Sequence, residues 1–530
     1  MMVPKKRNGF WLILVSLAAL LFGCMKVGPD YVRPQVSLSP NWSEPRNQHV
    51  TTETAEYRAW WEVFNDPVLD RIIDRAYREN LSLKLAGVRV LEARAQLGVA
   101  VGGLFPQTQQ ASGYVNYNRL SERSYLGASS QGNIDLDYLQ GQIGLNAQWE
   151  IDFWGKFRRA IESADAGLLA SMADYDSTLV SLTADAASYY IRILTFRKRL
   201  DIARQNVATQ KEALQIAQAR FQGGTTSERD VEQARTLLFN TQATIPTLEA
   251  QLRQSENALS VLLALPPGNL GTVLDGAADI PVPHPLVAVG IPADLLRRRP
   301  DVRSTELQAI AQSAQIGVAK ADLLPAFSLT GSFGFLSTDV GRFGLVDMFS
   351  WKALTASGGP TFQWNILNYG RITNNIRVQD AKFQGLLISY QNTVLKAQQE
   401  VEDSLTGYLR AQVNAEFLAQ SADAAKRSLD LALIQYQRGA VDFTTVLVAQ
   451  QALLTAQDSF ASGLGNIAGN LVALYRTLGG GWQIREGQDL VSPEIREVMA
   501  KRTHWGTLLS IPAAMTESSE PASVIRPPDW

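Results

Sequence analysis

The chain has 530 residues, 49 lysines and arginines against 51 aspartates and glutamates, and a formal net charge of −2. That balance offers no basic surface for nucleic acid. One cysteine and three histidines (His49, His284 and His504, all read as loop or tail) leave no disulfide framework and no residue set with metal-ligand spacing, so neither a cofactor nor an enzyme centre is expected.

In chain order, Lys5-Lys6-Arg7, the short apolar run Phe10 to Leu21 and Leu21-Phe22-Gly23-Cys24 read as a secretory signal over 1–23, too short to span a membrane. Residues 24–66 read as an extended N-terminal segment. A helix is expected over Pro67–Ala100, with Leu69, Ile72, Ile73, Ala76 and Tyr77 on one face. A weak alternating run from Ala111 to Tyr117 precedes a strong one over 142–153, where Ile143, Leu145, Ala147, Trp149, Ile151 and Phe153 alternate with Gln142, Asn146, Gln148, Glu150 and Asp152. Period two gives each strand one apolar and one polar face. A soluble sandwich hairpin and a membrane barrel both fit that alternation.

From Gly155 the period changes to a heptad. Leu168, Met172, Tyr175, Leu179, Leu182, Ala186, Tyr189, Ile193, Phe196 and Leu200 step by four and three, which is coiled-coil packing. No proline interrupts Gly155 to Gln222, so the helix is about 100 Å long at a rise of about 1.5 Å per residue. Gly223-Gly224 turns the chain, Ser227 is placed to cap the returning helix Glu228–Leu263, and Pro246 is expected to kink or break it.

A Pro-rich linker (265–292) follows, and the pattern begins again. A helix is expected over Ala293–Ala321. A strand carries Phe327, Leu329, Phe333 and Phe335, and a second runs from Leu354 to Ile366. Phe383, Leu387, Tyr390, Val394, Ala397, Val401, Ser404, Tyr408, Ala411 and Ala415 set a second heptad run, Gly439 and Asp442 the second turn and cap, and Phe443–Leu478 the second return. Trp149 with Gly155 is echoed by Trp364 with Gly370, and Gly224 by Gly439, each 215 residues on. Leu97-Gly98-Val99-Ala100 is echoed by Ile316-Gly317-Val318-Ala319, 219 residues on. The chain is an internal duplication, with repeats at 67–264 and 293–478 and a C-terminal segment and tail at 479–530. Trp149, Trp154, Trp351 and Trp364 lie near strand ends, where they fit a membrane-interface belt; for Trp154, packing under the loop fits equally.

Several motifs together resemble the TolC-like outer-membrane factors, in the NodT or OprM lipoprotein branch. They are Cys24-Met25-Lys26-Val27-Gly28-Pro29-Asp30-Tyr31, Trp60-Trp61 with Phe64, Asp66-Pro67, Leu295 to Arg303, Ala321-Asp322-Leu323-Leu324-Pro325 and the paired Trp-x-x-x-x-x-Gly segments. Leu21 to Cys24 resembles a lipobox, which implies lipid attachment at Cys24, and Met25 after it favours sorting to the outer membrane. The resemblance implies a mixed α+β membrane protein: a homotrimer whose 12-stranded outer-membrane β-barrel takes four strands from each chain and continues as a long α-helical coiled-coil tunnel. It implies a passive exit duct for drugs or other small molecules, working with a periplasmic adaptor and an inner-membrane pump. The tips at Gly223, Gly224, Gly439 and Asp442 would be the adaptor's docking surface. Asp230 matches a gate acid and Tyr436 a gate tyrosine, whereas Val448 stands where the family commonly has aspartate, and Thr445 and Val441 where some relatives carry charge. The rival reading is a periplasmic coiled-coil structural or adaptor lipoprotein, which has no use for repeated amphipathic strands.

Overall fold

The computed structural model describes residues 26–36, 42, 50–51, 57–121, 123, 137–268, 270–277, 279–283, 287–288, 298–340 and 344–509. The signal segment, Cys24, Met25, His49 and His284 lie outside the described residues, as do most of the loop after Arg119 and the tail beyond Leu509.

Helix α1 (Pro67–Glu79) begins where the Asp66 carboxylate accepts the Val68 and Leu69 N–H groups, with Pro67 at its first position. The expected single helix to Ala100 is two: Asn80 ends α1 and its Oδ1 accepts the Leu83 N–H to start α2 (Leu81–Gly102). Strands β1 (Thr108–Arg119) and β2 (Asp137–Glu150) follow, then α3 (Lys156–Gln222) and α4 (Glu228–Leu262). The second repeat supplies α5 (Pro300–Ala321), β3 (Ala326–Thr338), β4 (Leu354–Gln363), α6 (Arg371–Gln437) and α7 (Phe443–Thr477). The C-terminal segment adds α8 (Pro493–Arg502), whose Met499 packs with Val491 against Leu91 of α2.

The four long strands form one antiparallel sheet in the order β1-β2-β3-β4. Each long helix starts at a glycine in the left-handed region, Gly155 (φ 77°) and Gly370 (φ 79°), which is why the tryptophan–glycine spacing recurs. The α3 and α6 helices have 67 residues each and the α4 and α7 helices 35 each, so each return covers about half of a helix about 100 Å long. The lead-in helices complete the length. Asn80 Nδ2 donates to the Leu262 carbonyl, the last of α4, at 2.9 Å, and Arg299 Nη1 donates to the Thr477 carbonyl, the last of α7, at 3.0 Å. The two junctions are the same position in each repeat, and each joins two helices end to end by satisfying a terminal carbonyl.

Helix α4 runs through Pro246 without a break, which leaves the kink of the two expected outcomes. Pro246 sits on the exposed side of the helix, where water can satisfy the carbonyl that its missing N–H leaves free. At the entry to α5, Arg299 also pairs with Asp301 and Glu400, and the Arg298 guanidinium lies 3.7 Å from the Tyr57 ring centroid. The main core is the heptad seam, joined by Trp60, stacked on Tyr475 at 5.3 Å, and by Tyr190, which donates to Asp66 at 2.7 Å. Asp176 and Arg485 form a buried ion pair that ties the C-terminal segment to α3.

Candidate functional site

At one end of the sheet Leu345 and Met348 pack beside Gly141, and the Ser337 hydroxyl donates to the Gly344 carbonyl at 3.0 Å; elsewhere neither face has a partner among the described residues. Cross-strand pairing sets Ala111, Leu145, Phe333 and Ala356 in one row, and Gly113, Ile143, Phe335 and Leu354 in the next. These rows, the row of Gln109, Ala147, Gly331 and Gly358 and the row of Trp149, Leu329 and Pro360 make one largely apolar face, with Leu145 59% and Phe362 72% exposed. The opposite face carries Ser112, Asn146, Gln148, Thr330, Ser332 and Ser357, tied across strands by Asn146 to Ser112 at 3.0 Å and Ser332 to Ser357 at 2.7 Å. The outer edges of β1 and β4 have no neighbouring strand in the chain.

Three of the four tryptophans mark the ends of the apolar face. Trp149 donates to the Leu104 carbonyl at 3.1 Å, and Trp364, its repeat equivalent, to the Leu323 carbonyl at 2.9 Å, both where a helix turns into a strand. Trp351 is 78% exposed at the far end, edge-on to Phe335. Trp154 instead packs edge-on against Phe153 and donates to the Pro325 carbonyl at 2.8 Å; it belongs to the packing under the sheet.

The N-terminal segment meets the same level. The Val27 N–H donates to the Trp154 carbonyl at 3.1 Å, and Lys26 pairs with Glu162. Arg159, 1% exposed, binds the Val27 carbonyl and Asp30.

At the opposite end of the long helices lie the two tips. Gly224 (φ 70°) and Gly439 (φ 74°) close α3 and α6, with Thr225 N–H bonded to the Arg220 carbonyl and Ala440 N–H to the Gln435 carbonyl, the six-to-one bond of a Schellman turn. Ser227 and Asp442 occupy the capping positions of α4 and α7, but neither side chain caps. Asp230 takes over at the first tip. Its carboxylate accepts the Thr226 hydroxyl at 2.5 Å and reaches back to Ser227, and these hydrogen bonds, Thr226 first, hold its pKa below the usual carboxylate range.

Asp230 and Tyr436, the two matched gate residues, are not bonded to each other within the chain. Tyr436 is 7% exposed, its hydroxyl has no partner among the described residues, and its ring packs 5.1 Å from Phe443. Arg220, which sequence reasoning missed, lies over that ring at 4.2 Å. This contact and the Thr444–Gln233 hydrogen bond at 3.3 Å join the α3/α4 hairpin to the α6/α7 hairpin. Arg220 carries no sequence signal except its place one turn before Gly224. Thr445 and Val448 are exposed on α7, Val448 by 63%, in a groove bordered by Leu418 and Ser421 of α6. Val441, at the second turn, is partly buried against the tip core.

The family description "Outer membrane efflux protein" matches residues 72–265 and 291–480. The chain belongs to that family. The two matched stretches begin 219 residues apart (72 and 291) and end 215 apart (265 and 480), the same offsets as the internal repeats. Among relatives of this efflux family, the chain is 32% identical to Nodulation protein T of Rhizobium leguminosarum bv. viciae over 90% of this chain and 94% of that one. It is 30% identical to the pyoverdine export outer membrane protein OpmQ of Pseudomonas putida, over 89% and 97%. Among solved structures, the outer-membrane channel OprN superposes with a TM-score of 0.79 at 30% identity, covering 86% of this chain and all of that one. The fold is that of the TolC-like outer-membrane channels. None of the described helices is long and apolar enough to cross a membrane; in this fold the strands do so.

Proposed function

We propose that the chain is the outer-membrane exit duct of a tripartite efflux system, a homotrimer that passes drugs or other small molecules without catalysis. The observation that carries this is the sheet: one face largely apolar and mostly uncovered among the described residues, the other polar, and both edges open. Open strand edges are not tolerated in hydrocarbon, so the sheet must close with other copies. At about 3.3 Å per residue and a tilt of about 45°, the ten residues of β4 span about 23 Å, the height of a barrel's apolar band. A coiled-coil adaptor lipoprotein would bury that face or lack it. The two helical tips fit a gate biased by an adaptor, which opens it only insofar as it binds the open form better. An inner-membrane pump supplies the energy.

Cys24 is the proposed lipid attachment site. Lys26 sits at the sheet–helix junction, and two residues of extended chain reach about 7 Å from it, so an acyl chain on Cys24 would enter the membrane beside the barrel. The relatives' names speak of pyoverdine export and solvent efflux, and small organic molecules are the proposed cargo here.

Two measurements test the reading. Deletion should raise cellular accumulation of small organic compounds, and the protein purified from membranes should bring down an adaptor and a pump; unchanged accumulation with no such partners contradicts it. Mass spectrometry of the mature protein should find an acylated Cys24 at the N-terminus, and an unmodified cysteine or cleavage elsewhere contradicts the anchor.

A further inference from the structure

Resting on the duct reading, we infer that the conduit is charge-neutral at both its sheet-lined and its tip-lined ends, and therefore passes small molecules with little preference for the sign of their charge. Two independent faces carry the inference.

The first is the polar face of the sheet. All residues of the four strands are described. Between the rows of Gln140 and Gln148 this face carries serine, threonine, asparagine, glutamine, glycine, one leucine and the phenol of Tyr114, and no carboxylate, ammonium or guanidinium. The carboxylate of that face, Glu150, stands at the helical rim and pairs with Lys156 at 3.6 Å. The second face is α7. Its 35 residues include two charged ones, Asp458 and Arg476, against eight in the equivalent helix α4. Both are spent on pairs, Asp458 with Arg199 at 2.7 Å and Arg476 with Asp185 at 3.0 Å.

Along α7 runs a heptad stripe of uncharged side chains, Thr445, Val448, Ala452 and Thr455 exposed and Ser459 and Ser462 half-buried, stepping by three and four. The stripe borders the groove shared with Leu418 and Ser421. Helix α6 adds equal numbers of each sign at that level, Asp423 and Asp430 with Lys426 and Arg427. By contrast, the groove between α3 and α4 is lined by Arg197, Asp201, Arg204, Glu249, Arg253 and Glu256. Helix α7 thus withholds charge where the groove between α3 and α4 presents it. Rings of charged side chains are what make a pore select ions by sign. A neutral wall leaves hydration and size to decide passage, and a tip sealed by Val448 and its neighbours closes by apolar contact.

The test is the reversal potential of the purified, full-length protein in planar bilayers under a salt gradient, before and after adding hexamminecobalt(III), a trivalent cation. The expected cation-to-anion permeability ratio is within about twofold of one, with no block by the trivalent ion. Val448→Asp at the tip and Ser332→Asp on the sheet should each shift the reversal potential toward cation preference, and Val448→Asp should confer trivalent block. Strong charge selectivity or trivalent block in the unmodified protein overturns neutrality while leaving the duct reading intact. Variants without a shift show that these faces do not line the conduit and overturn the inference. Absence of any unitary current from folded, inserted protein overturns the duct reading, and the inference with it.

Discussion

Two side chains at the tip divide the work of holding it. Asp230 stabilises its own turn, through Thr226 and Ser227, whereas Arg220 joins one helical hairpin to the other over the Tyr436 ring. Because the Asp230 pKa is depressed in the folded tip, its contribution is complete above the ordinary carboxylate pKa and is lost as pH falls through the lower folded value. Asp230→Ala should cost about 1 kcal/mol in the first turn of α4. Hydrogen exchange of the amides around 227–232 should accelerate in that variant at neutral pH, and in the unmodified protein only below about pH 4; identical exchange in both would remove Asp230 from this role. Arg220→Ala removes a cation–π contact of about 1 kcal/mol, roughly a fivefold shift toward an open tip. Tyr436→Phe deletes a buried hydroxyl with no partner among the described residues and should leave open probability unchanged or lower, since an unsatisfied buried polar group is itself a cost. Single-channel open probability separates these outcomes, and a Tyr436→Phe channel that opens more readily than Arg220→Ala would show that the hydroxyl finds a partner in another copy.

At the scale of elements, the duplication explains more than the fold. Asn80 and Arg299 are chemically unlike, yet occupy the same junction and satisfy the last carbonyl of the return helix. Asn80→Ala should cost about 1 kcal/mol; Arg299→Ala, which also strips a partner from Asp301 and Glu400, about 2–3 kcal/mol. Denaturant midpoints give both values, and equal losses would mean that the ion pairs contribute nothing. On the strands, Leu145→Arg and Phe362→Arg place a charge on the apolar face at about 2–4 kcal/mol in mid-membrane and less near its edge, so Leu145→Arg should be the worse. Gln148→Arg and Gln363→Arg lie on the opposite face and should be tolerated. Yields of heat-resistant oligomer read this out, and equal damage from both sets would reverse the faces. Strands and long helices were legible in the residues because periods of two and seven persist over many residues, and the 215-residue echo supplied each element twice. The break at Asn80 was not, since an asparagine inside an apolar pattern reads equally as a surface position. Whether Pro246 would break α4 was not legible either, because the face it occupies depends on the packing of α4 and not on proline's own preferences. The Arg220–Tyr436 contact joins residues 216 apart on different hairpins, and no local pattern encodes that meeting.

For the whole molecule, the helices and the sheet pose different closure problems. The heptad seams already bury their apolar stripes within one chain. The sheet cannot: its apolar face and two edges remain open, so a single copy is incomplete where the membrane begins. Four strands per chain close a barrel only in company, and a 12-stranded barrel needs three. The most direct test is the number of chains in the particle extracted from membranes, measured by native mass spectrometry of the full-length protein. Three copies in every particle, with no ladder of larger species, is the predicted result. A stable monomer, or a particle with two or four copies, would contradict the closure of this sheet into a 12-stranded barrel.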